Sequence, residues 1–119
     1  MEKINIEEKL GLFSDHWLPH IICEVNGQHI RLVKFKGEFV WHKHDEADEL
    51  FYVLQGTLRI LFRDGEVTLN PGEMCKIPRG VEHLPVAEEE VHAMLFEPGG
   101  TVNTGNTPGQ RTVSDPPWI

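Results

Sequence analysis

The sequence predicts an all-β fold, a sandwich or barrel, with one short helix at the N-terminus. After residue 20 the chain consists of short β-branched and apolar runs. Turns rich in Gly, Pro, Asn or Asp separate these runs, and no helical periodicity lies between them. Many short strands at close spacing, without intervening helices, are typical of a sandwich or barrel.

The N-terminal segment predicts a single short helix. Asn5 is a suitable N-cap, and Glu8, three residues later, completes a capping box. Ile6 and Leu10 fall on one face, as an amphipathic helix requires. Gly11 is expected to end the helix early.

Two hairpins are predicted from tight-turn sequences. The runs "IICEV" and "HIRLVKF" meet across Asn26-Gly27, and "TLRILF" and "VTL" meet around Asp64-Gly65. Asn-Gly and Asp-Gly favour two-residue β-turns between paired strands. Four further strands are expected from "LFYVL", "MCKIP", "HLPV" and "VHAMLF", with Glu88–Glu90 as a solvated hairpin turn between the last two.

The strand "LFYVL" is apolar on both faces, which predicts that it is covered on both sides. One side would face a barrel interior, and the other a second sheet or another subunit.

The bulk composition predicts one domain over residues 1–119. With 119 residues the chain can form one core, which we place at about residues 30–97, followed by an irregular tail at 98–119. The terminal Trp118-Ile119 suggests that the end of the tail docks on another surface and does not extend freely into solvent. A net charge of −8 argues against binding to nucleic acid or anionic lipid. No apolar run is long enough to span a membrane, the N-terminus is unlike a signal peptide, and there are only two cysteines, so a cytoplasmic location is expected.

The segment "WHKHDEADE", residues 41–49, is either a solvated acidic loop or part of a metal site. In an extended chain, residues i and i+2 project from the same face, so His42 and His44 would point the same way. A following acidic turn would bring Glu49 onto that face at the start of the next strand; only strand parity favours it over the other carboxylates of the segment. Two imidazoles and one carboxylate suit iron, manganese, nickel, cobalt or zinc. Taken alone, this segment leaves both interpretations open.

A second segment, "GEMCKIPRGVEH" at residues 72–83, favours the metal site over the solvated loop. Together the two segments resemble the two conserved motifs of the cupin superfamily, in the same order. The matching positions are His42, His44, Glu49 and Gly56 in the first motif, and Gly72, Pro78, Gly80 and His83 in the second. There are two departures: Gly37 lies one residue closer to His42 than the pattern has it, and Ala87 stands where the family often has Asn.

The resemblance implies a double-stranded β-helix, which is a cupin jelly-roll barrel. It also implies that His42, His44, Glu49 and His83 converge inside the barrel on one divalent transition metal ion. The general likeness is to small single-domain cupins described as mannose-6-phosphate-isomerase-like, a label of kinship more than of activity. Four protein ligands would leave coordination positions open, which favours a catalytic over a structural metal.

The expected function is therefore that of a small metalloenzyme acting on a small polar molecule by dioxygenase- or isomerase-type chemistry. The alternative is a non-catalytic module that binds or senses a small ligand. No catalytic residue beyond the ligands is identified, and a homodimer is expected.

The remaining histidines are expected outside the site. His92 is placed on an outer strand face, and His16, His20 and His29 at the surface or an interface. Phe51 shares inward parity with Glu49 and is expected in the barrel wall.

Overall fold

The computed structural model describes residues 1–119 and has an antiparallel β architecture with one short helix. The elements, in chain order, are α1 (Ile6–Leu10), β1 (His20–Val25), β2 (Gln28–Glu38), β3 (Glu49–Gln55), β4 (Leu58–Phe62), β5 (Gly65–Leu69), β6 (Met74–Ile77) and β7 (His83–Pro98). The predicted all-β class with an N-terminal helix is confirmed. The helix is too short and too polar to cross a membrane.

Strand β7 lies at the centre of the sheet and links its parts. The strands run in the order β1-β2-β7-β3-β6, while β4 pairs with both β5 and β7. The N-terminal part of β7 pairs with β4, its C-terminal part pairs with β3, and β2 pairs with both parts. The register with β2 shifts between Phe35 and Gly37. Such a bulge bends a strand, so β7 can serve both halves of the barrel.

The predicted hairpin turn at Glu88–Glu90 is wrong. These residues lie within the continuous strand β7, beside the bulge, with Glu88 and Glu89 exposed. A tight turn normally needs a residue such as Gly or Asn that tolerates a positive φ, and this segment has none. A strand with one face in solvent accommodates the charges without a turn.

Both predicted hairpins are present. Asn26 and Gly27 have φ angles of 52° and 80°, as a two-residue type I′ turn requires. The second hairpin is shifted by one residue: Phe62 pairs with Gly65, so Arg63 and Asp64 form the turn.

The core fills the space enclosed by the strands and is dominated by aromatic and β-branched side chains. Phe51 and Val53 of β3 point into it and are 2% and 0% exposed. The outward side chains of the same strand, Leu50, Tyr52 and Leu54, are half-buried. The inward face of β3 is therefore fully buried within one chain, as predicted, whereas its outward face is only partly covered.

Local hydrogen bonds define the start of the N-terminal helix, and the C-terminal tail is fixed to the edge strand β1. Asn5 caps α1 by accepting a hydrogen bond from the Glu8 backbone N–H at 2.9 Å. No strand or helix follows β7, as predicted for the tail, which forms only one parallel bridge, between Trp118 and Ile21. The Ile21 N–H donates to the Pro117 carbonyl at 2.8 Å, and the Ile119 N–H donates to the Ile21 carbonyl at 3.0 Å. The chain end therefore docks on β1.

Candidate metal centre

The four predicted ligands come from three places that the sheet brings together. Glu49 is the first residue of β3, and His83 is the first residue of β7. His42 lies in the segment between β2 and β3, which is less regular than the predicted strand. It forms a single antiparallel bridge with His83, with N–O distances of 3.1 and 2.8 Å. That bridge fixes two of the four side chains relative to each other.

Backbone contacts hold His44 and the acidic turn after it. The Gly80 N–H donates to the His44 carbonyl at 2.8 Å, and the Arg79 N–H donates to the Asp48 carboxylate at 2.9 Å. From the tail, Asn106 brackets Lys43: its side-chain oxygen accepts from the Lys43 N–H at 2.9 Å, and its own N–H donates to the Lys43 carbonyl at 3.1 Å. The segment between the two strands is thus fixed by the glycine-containing turn of the second motif and by the tail.

The four side chains form one buried cluster. Their candidate ligand atoms all lie within 4.8 Å of one another, and the residues His42, His44, Glu49 and His83 are 3%, 7%, 4% and 0% exposed. Glu49 Oε1 lies 3.3 Å from His83 Nε2 and 3.5 Å from His44 Nε2. The structure therefore brings together every residue of the predicted ligand set.

Hydrogen bonds orient two of the imidazoles so that their Nε2 atoms face the cluster. His42 Nδ1 donates to the Val40 carbonyl, and His83 Nδ1 donates to the Val81 carbonyl, each at 2.9 Å. In a neutral imidazole the other nitrogen then carries a lone pair. A hydrogen bond from the ring nitrogen that faces away from the metal to a backbone carbonyl is typical of metal-binding histidines.

The arrangement fits a metal cation. His44 Nε2 is buried and has no hydrogen-bond partner, and the His83 Nε2 lone pair points towards a carboxylate oxygen. Buried acceptors that converge in this way need a cation between them. Three imidazole nitrogens and one carboxylate are a suitable set for a divalent first-row ion.

The electrostatics of the metal-free protein favour the same protonation states that metal binding requires. Burial, followed by the charge of His83, lowers the pKa of His42 to about 4. Burial alone would raise the pKa of Glu49, but the neighbouring imidazoles of His44 and His83 outweigh it and hold that pKa well below its usual range. Metal ligands must be neutral imidazoles and ionised carboxylates, so His42 and Glu49 are already in the states that metal binding requires at neutral pH.

A small cavity of about 20 Å³ lies against His42 and Glu49. This is enough room for a water-sized molecule. Its walls are mostly aromatic and aliphatic, and the lining residues are Trp17, Pro19, Val33, Phe35, Phe39, His42, Glu49, Phe51, Pro85, Leu95 and Asn103. Phe51 lies in the wall, as predicted.

A buried ion pair that was not predicted from the sequence lies beside the cluster. Arg31 and Glu97 are 0% and 1% exposed, and Arg31 Nη1 donates to Glu97 Oε1 at 2.9 Å. Burial, then the negative charge of Glu49, raises the pKa of Glu97 well above its ordinary value, against the opposing charge of Arg31. Glu97 has the same inward parity as Ala93 and Leu95, and that periodicity was the signal that could have found it.

The other histidines lie outside the cluster. His92 Nε2 donates to the Glu90 carboxylate at 2.8 Å on the outer face of β7, where it was predicted. His20 was expected at the surface or an interface, but it is 5% exposed, so the surface placement is wrong. It stacks on Phe13 at 3.9 Å and contacts Asp15 at 2.9 Å, because the segment before β1 folds over it.

Three proteins illustrate what this chain is similar to. The Bacillus subtilis (strain 168) protein YdbB, itself uncharacterized, is 46% identical over 79 residues. That match covers 66% of this chain and 64% of the relative, so it spans slightly less than two thirds of that protein.

Two solved structures share the fold over most of their length. A cupin-2 domain containing protein from Shewanella frigidimarina is 53% identical, with a TM-score of 0.79 over 80% of this chain and 93% of that chain. Protein NMB1881 from Neisseria meningitidis is 32% identical, with a TM-score of 0.76 over 82% of this chain and 100% of that chain.

The family model for the cupin domain matches residues 29–98, more than half of the chain, and this range contains all four residues of the buried cluster. The match to the family model agrees with the antiparallel fold and with the resemblance of the segments at 41–49 and 72–83 to the two cupin motifs. The chain therefore belongs to the cupin superfamily.

Proposed function

We propose that this protein is a small metalloenzyme that uses a 3-His-1-Glu centre to act on a small polar molecule. The observation that carries the proposal is the buried cluster of His42, His44, Glu49 and His83 beside a cavity that both His42 and Glu49 line. One divalent ion of iron, manganese, nickel, cobalt or zinc suits these donors. Such an ion supplies Lewis-acid or redox chemistry towards the oxygen atoms of a bound molecule.

The chain's own residues would hold the ligands in place and exclude water. The carbonyls of Val40 and Val81 fix two imidazole rings. The aromatic and aliphatic walls of the cavity keep the local dielectric low, which strengthens electrostatic interactions at the centre.

Between the two expected reaction types, the lining of the cavity favours oxygen chemistry. Isomerisation needs a group that carries a proton between two atoms of the substrate. The only titratable side chains that line the cavity are His42 and Glu49, and both are assigned to the metal. A dioxygenase-type reaction asks for fewer protein groups, and the cavity admits a molecule of about the size of water or dioxygen.

The second candidate is a non-catalytic module that holds a metal or small ligand without turnover. The observation that favours it is the small size of this cavity, which leaves no room for an organic substrate on the side of His42 and Glu49 unless a wall residue moves.

Elemental analysis of protein purified without a His-tag tests the centre itself. We expect about one transition-metal ion per chain, and a strong reduction in His42→Ala and in His83→Ala. His92→Ala is the matched control, since this histidine lies outside the cluster and should leave the metal content unchanged. Full metal content in both ligand variants would disprove the assigned site.

Oxygen uptake by the iron-loaded protein separates the enzyme from the binding module. We would add a panel of small keto acids, diols and hydroxy acids and follow dissolved oxygen. Uptake that requires both the compound and His83 supports a dioxygenase. Binding of a compound without uptake, in the presence of a fully loaded centre, supports the non-catalytic module.

A further inference from the structure

The backbone between His42 and His44 is bound from two sides. On one side His42 exchanges two hydrogen bonds with His83, and the Gly80 N–H donates to the His44 carbonyl. On the other side no strand of the sheet pairs with this segment. Its neighbour there is the tail, which lies outside the residues that match the family model. The tail therefore takes the place of a second partner strand.

Asn106 makes this contact from the tail, and it uses both its side chain and its backbone. Its side-chain oxygen accepts a hydrogen bond from the Lys43 N–H at 2.9 Å, and its own N–H donates to the Lys43 carbonyl at 3.1 Å. The Lys43 N–H belongs to the peptide group that follows His42, and the Lys43 carbonyl belongs to the peptide group that precedes His44. A single residue of the tail thus holds both peptide groups that separate the two histidines.

His44 depends on its backbone more than the other two histidines of the cluster do. The rings of His42 and His83 are each fixed by a hydrogen bond from Nδ1 to a backbone carbonyl. His44 Nδ1 makes no such bond, and His44 Nε2 faces Glu49 Oε1 at 3.5 Å. The direction of this imidazole is therefore set by the peptide groups on either side of it and by the atoms packed against it.

The tail approaches the segment so closely that only glycine fits at Gly105. A Cβ there would overlap the Lys43 carbonyl oxygen, and it would lie 2.9 Å from the carbonyl carbon and 3.2 Å from His44 Nδ1. Thr107 extends the contact, because its hydroxyl donates to the Trp41 carbonyl at 2.9 Å. Three consecutive residues of the tail therefore contact the ligand-bearing segment.

We propose that Asn106 is a positioning residue of the metal centre. By holding Lys43 it keeps the backbone between His42 and His44 extended, so that both Nε2 atoms face one ion. Without the side-chain hydrogen bond, water competes for the Lys43 N–H and the His44 ring gains freedom, which weakens metal binding and alters the ligand geometry. This inference rests on the proposed function, because it assumes a metal at the four-residue cluster.

Zinc affinity, measured at neutral pH by competition with a chromophoric chelator, tests the proposal. Asn106→Ala should bind zinc about tenfold more weakly than the wild type, as expected for the loss of a partner that orients a ligand. Asn106 is exposed, so its alanine variant is expected to fold. Asn70→Ala is the matched control and should keep the wild-type affinity. This exposed asparagine also accepts a side-chain hydrogen bond, from Thr57 at 3.0 Å, but it lies in the turn between β5 and β6.

Asn106→Asp separates positioning from a general loss of packing. Both side-chain hydrogen bonds of Asn106 use its oxygen, which an aspartate retains. The added negative charge also attracts a cation, so the deciding measurement is the visible spectrum of the cobalt-loaded protein, which reports the number and arrangement of the ligands. The cobalt bands should be shifted in Asn106→Ala and should match the wild type in Asn106→Asp.

A second pair of variants displaces the backbone of the tail. Gly105→Ala forces the tail away from Lys43 and should weaken zinc binding at least as much as Asn106→Ala does. Gly109→Ala is the matched control in the same tail, because a Cβ there meets no atom within 4 Å, and it should leave the zinc affinity unchanged.

The outcomes separate the two levels of the argument. If the wild-type protein takes up no metal, the proposed function fails, and this inference fails with it. If the wild type binds zinc but Asn106→Ala has the zinc affinity and the cobalt spectrum of Asn70→Ala, only the positioning role is overturned. The same holds if Asn106→Asp keeps the altered spectrum of the alanine variant, or if Gly105→Ala binds zinc as tightly as Gly109→Ala.

Discussion

Acidification of the metal-free protein should remove a defined part of its stability through His42. Burial and the neighbouring His83 lower the pKa of His42 to about 4 from the ordinary value of 6.5. Between these two values the unfolded chain binds a proton that the folded chain does not. Protons therefore favour the unfolded state, and the stability falls as the pH drops below 6.5.

The magnitude follows from the two pKa values of His42. Each unit of difference corresponds to about 1.4 kcal/mol, and the full difference is reached only near the folded-state pKa. Between about pH 7.5 and about pH 5, the expected loss of unfolding free energy from His42 alone is about 2 kcal/mol. Glu97 acts in the opposite sense, because its pKa in the folded protein is raised well above its ordinary value. Its contribution is common to the wild type and a His42 variant and cancels when the two are compared.

Urea unfolding in the presence of a chelator, at about pH 7.5 and about pH 5, measures the loss of unfolding free energy. His42→Gln has no titrating group at this position and should lose about 2 kcal/mol less than the wild type. His29→Gln, a histidine outside the cluster, is the control and should behave as the wild type does. An equal loss in wild type and His42→Gln would refute the assignment of the acid sensitivity to the buried imidazole.

Three further predictions concern the fold and the assembly. A Cβ at Gly56, where φ is +83°, would lie 2.6 Å from the Glu90 carbonyl oxygen, whereas at Gly72, with φ +87°, it meets no atom within 4 Å. In urea unfolding, Gly72→Ala should cost about 1 kcal/mol and Gly56→Ala clearly more; equal costs would contradict the steric argument. Leu58 is 0% exposed and Val67 36%, so Leu58→Ala should cost about 2–5 kcal/mol and Val67→Ala less than about 0.5 kcal/mol. We also expect a homodimer because the outer face of β3 is only partly covered; light scattering that gave the 13.6 kDa mass of one chain would disprove it.

Features that depend on neighbouring residues were predictable from the sequence. The Asn26-Gly27 turn forms because these two residue types tolerate a positive φ, and Asn5 caps the first helix because its side chain reaches an N–H three residues later. The spacing of His42 and His44 placed both imidazoles on one side even though the segment forms a bridge and not a strand.

Features that depend on long-range contacts were not predictable in the same way. Glu88–Glu90 has the composition of a loop, but the pairing of Ala87 and Val91 with β2 on either side keeps it within a strand. The Arg31–Glu97 pair joins residues 66 positions apart, and no local pattern specifies such a partner. The packing of Trp17 on Phe35 and Phe39 likewise depends on where the N-terminal segment meets the sheet.

The sequence by itself determined the class of fold and the main turns, because residue type and alternation specify local geometry, and the four cluster residues followed from the likeness of two segments to the cupin motifs. Only the tertiary structure decided how close those donors lie, which of their nitrogen atoms face inward, and how small the cavity beside them is. These properties come from the pairing of His42 with His83, from the backbone carbonyls that orient the rings, and from the side chains, Trp17 among them, that line the cavity. Each of these contacts joins parts of the chain that meet only when the sheet is complete.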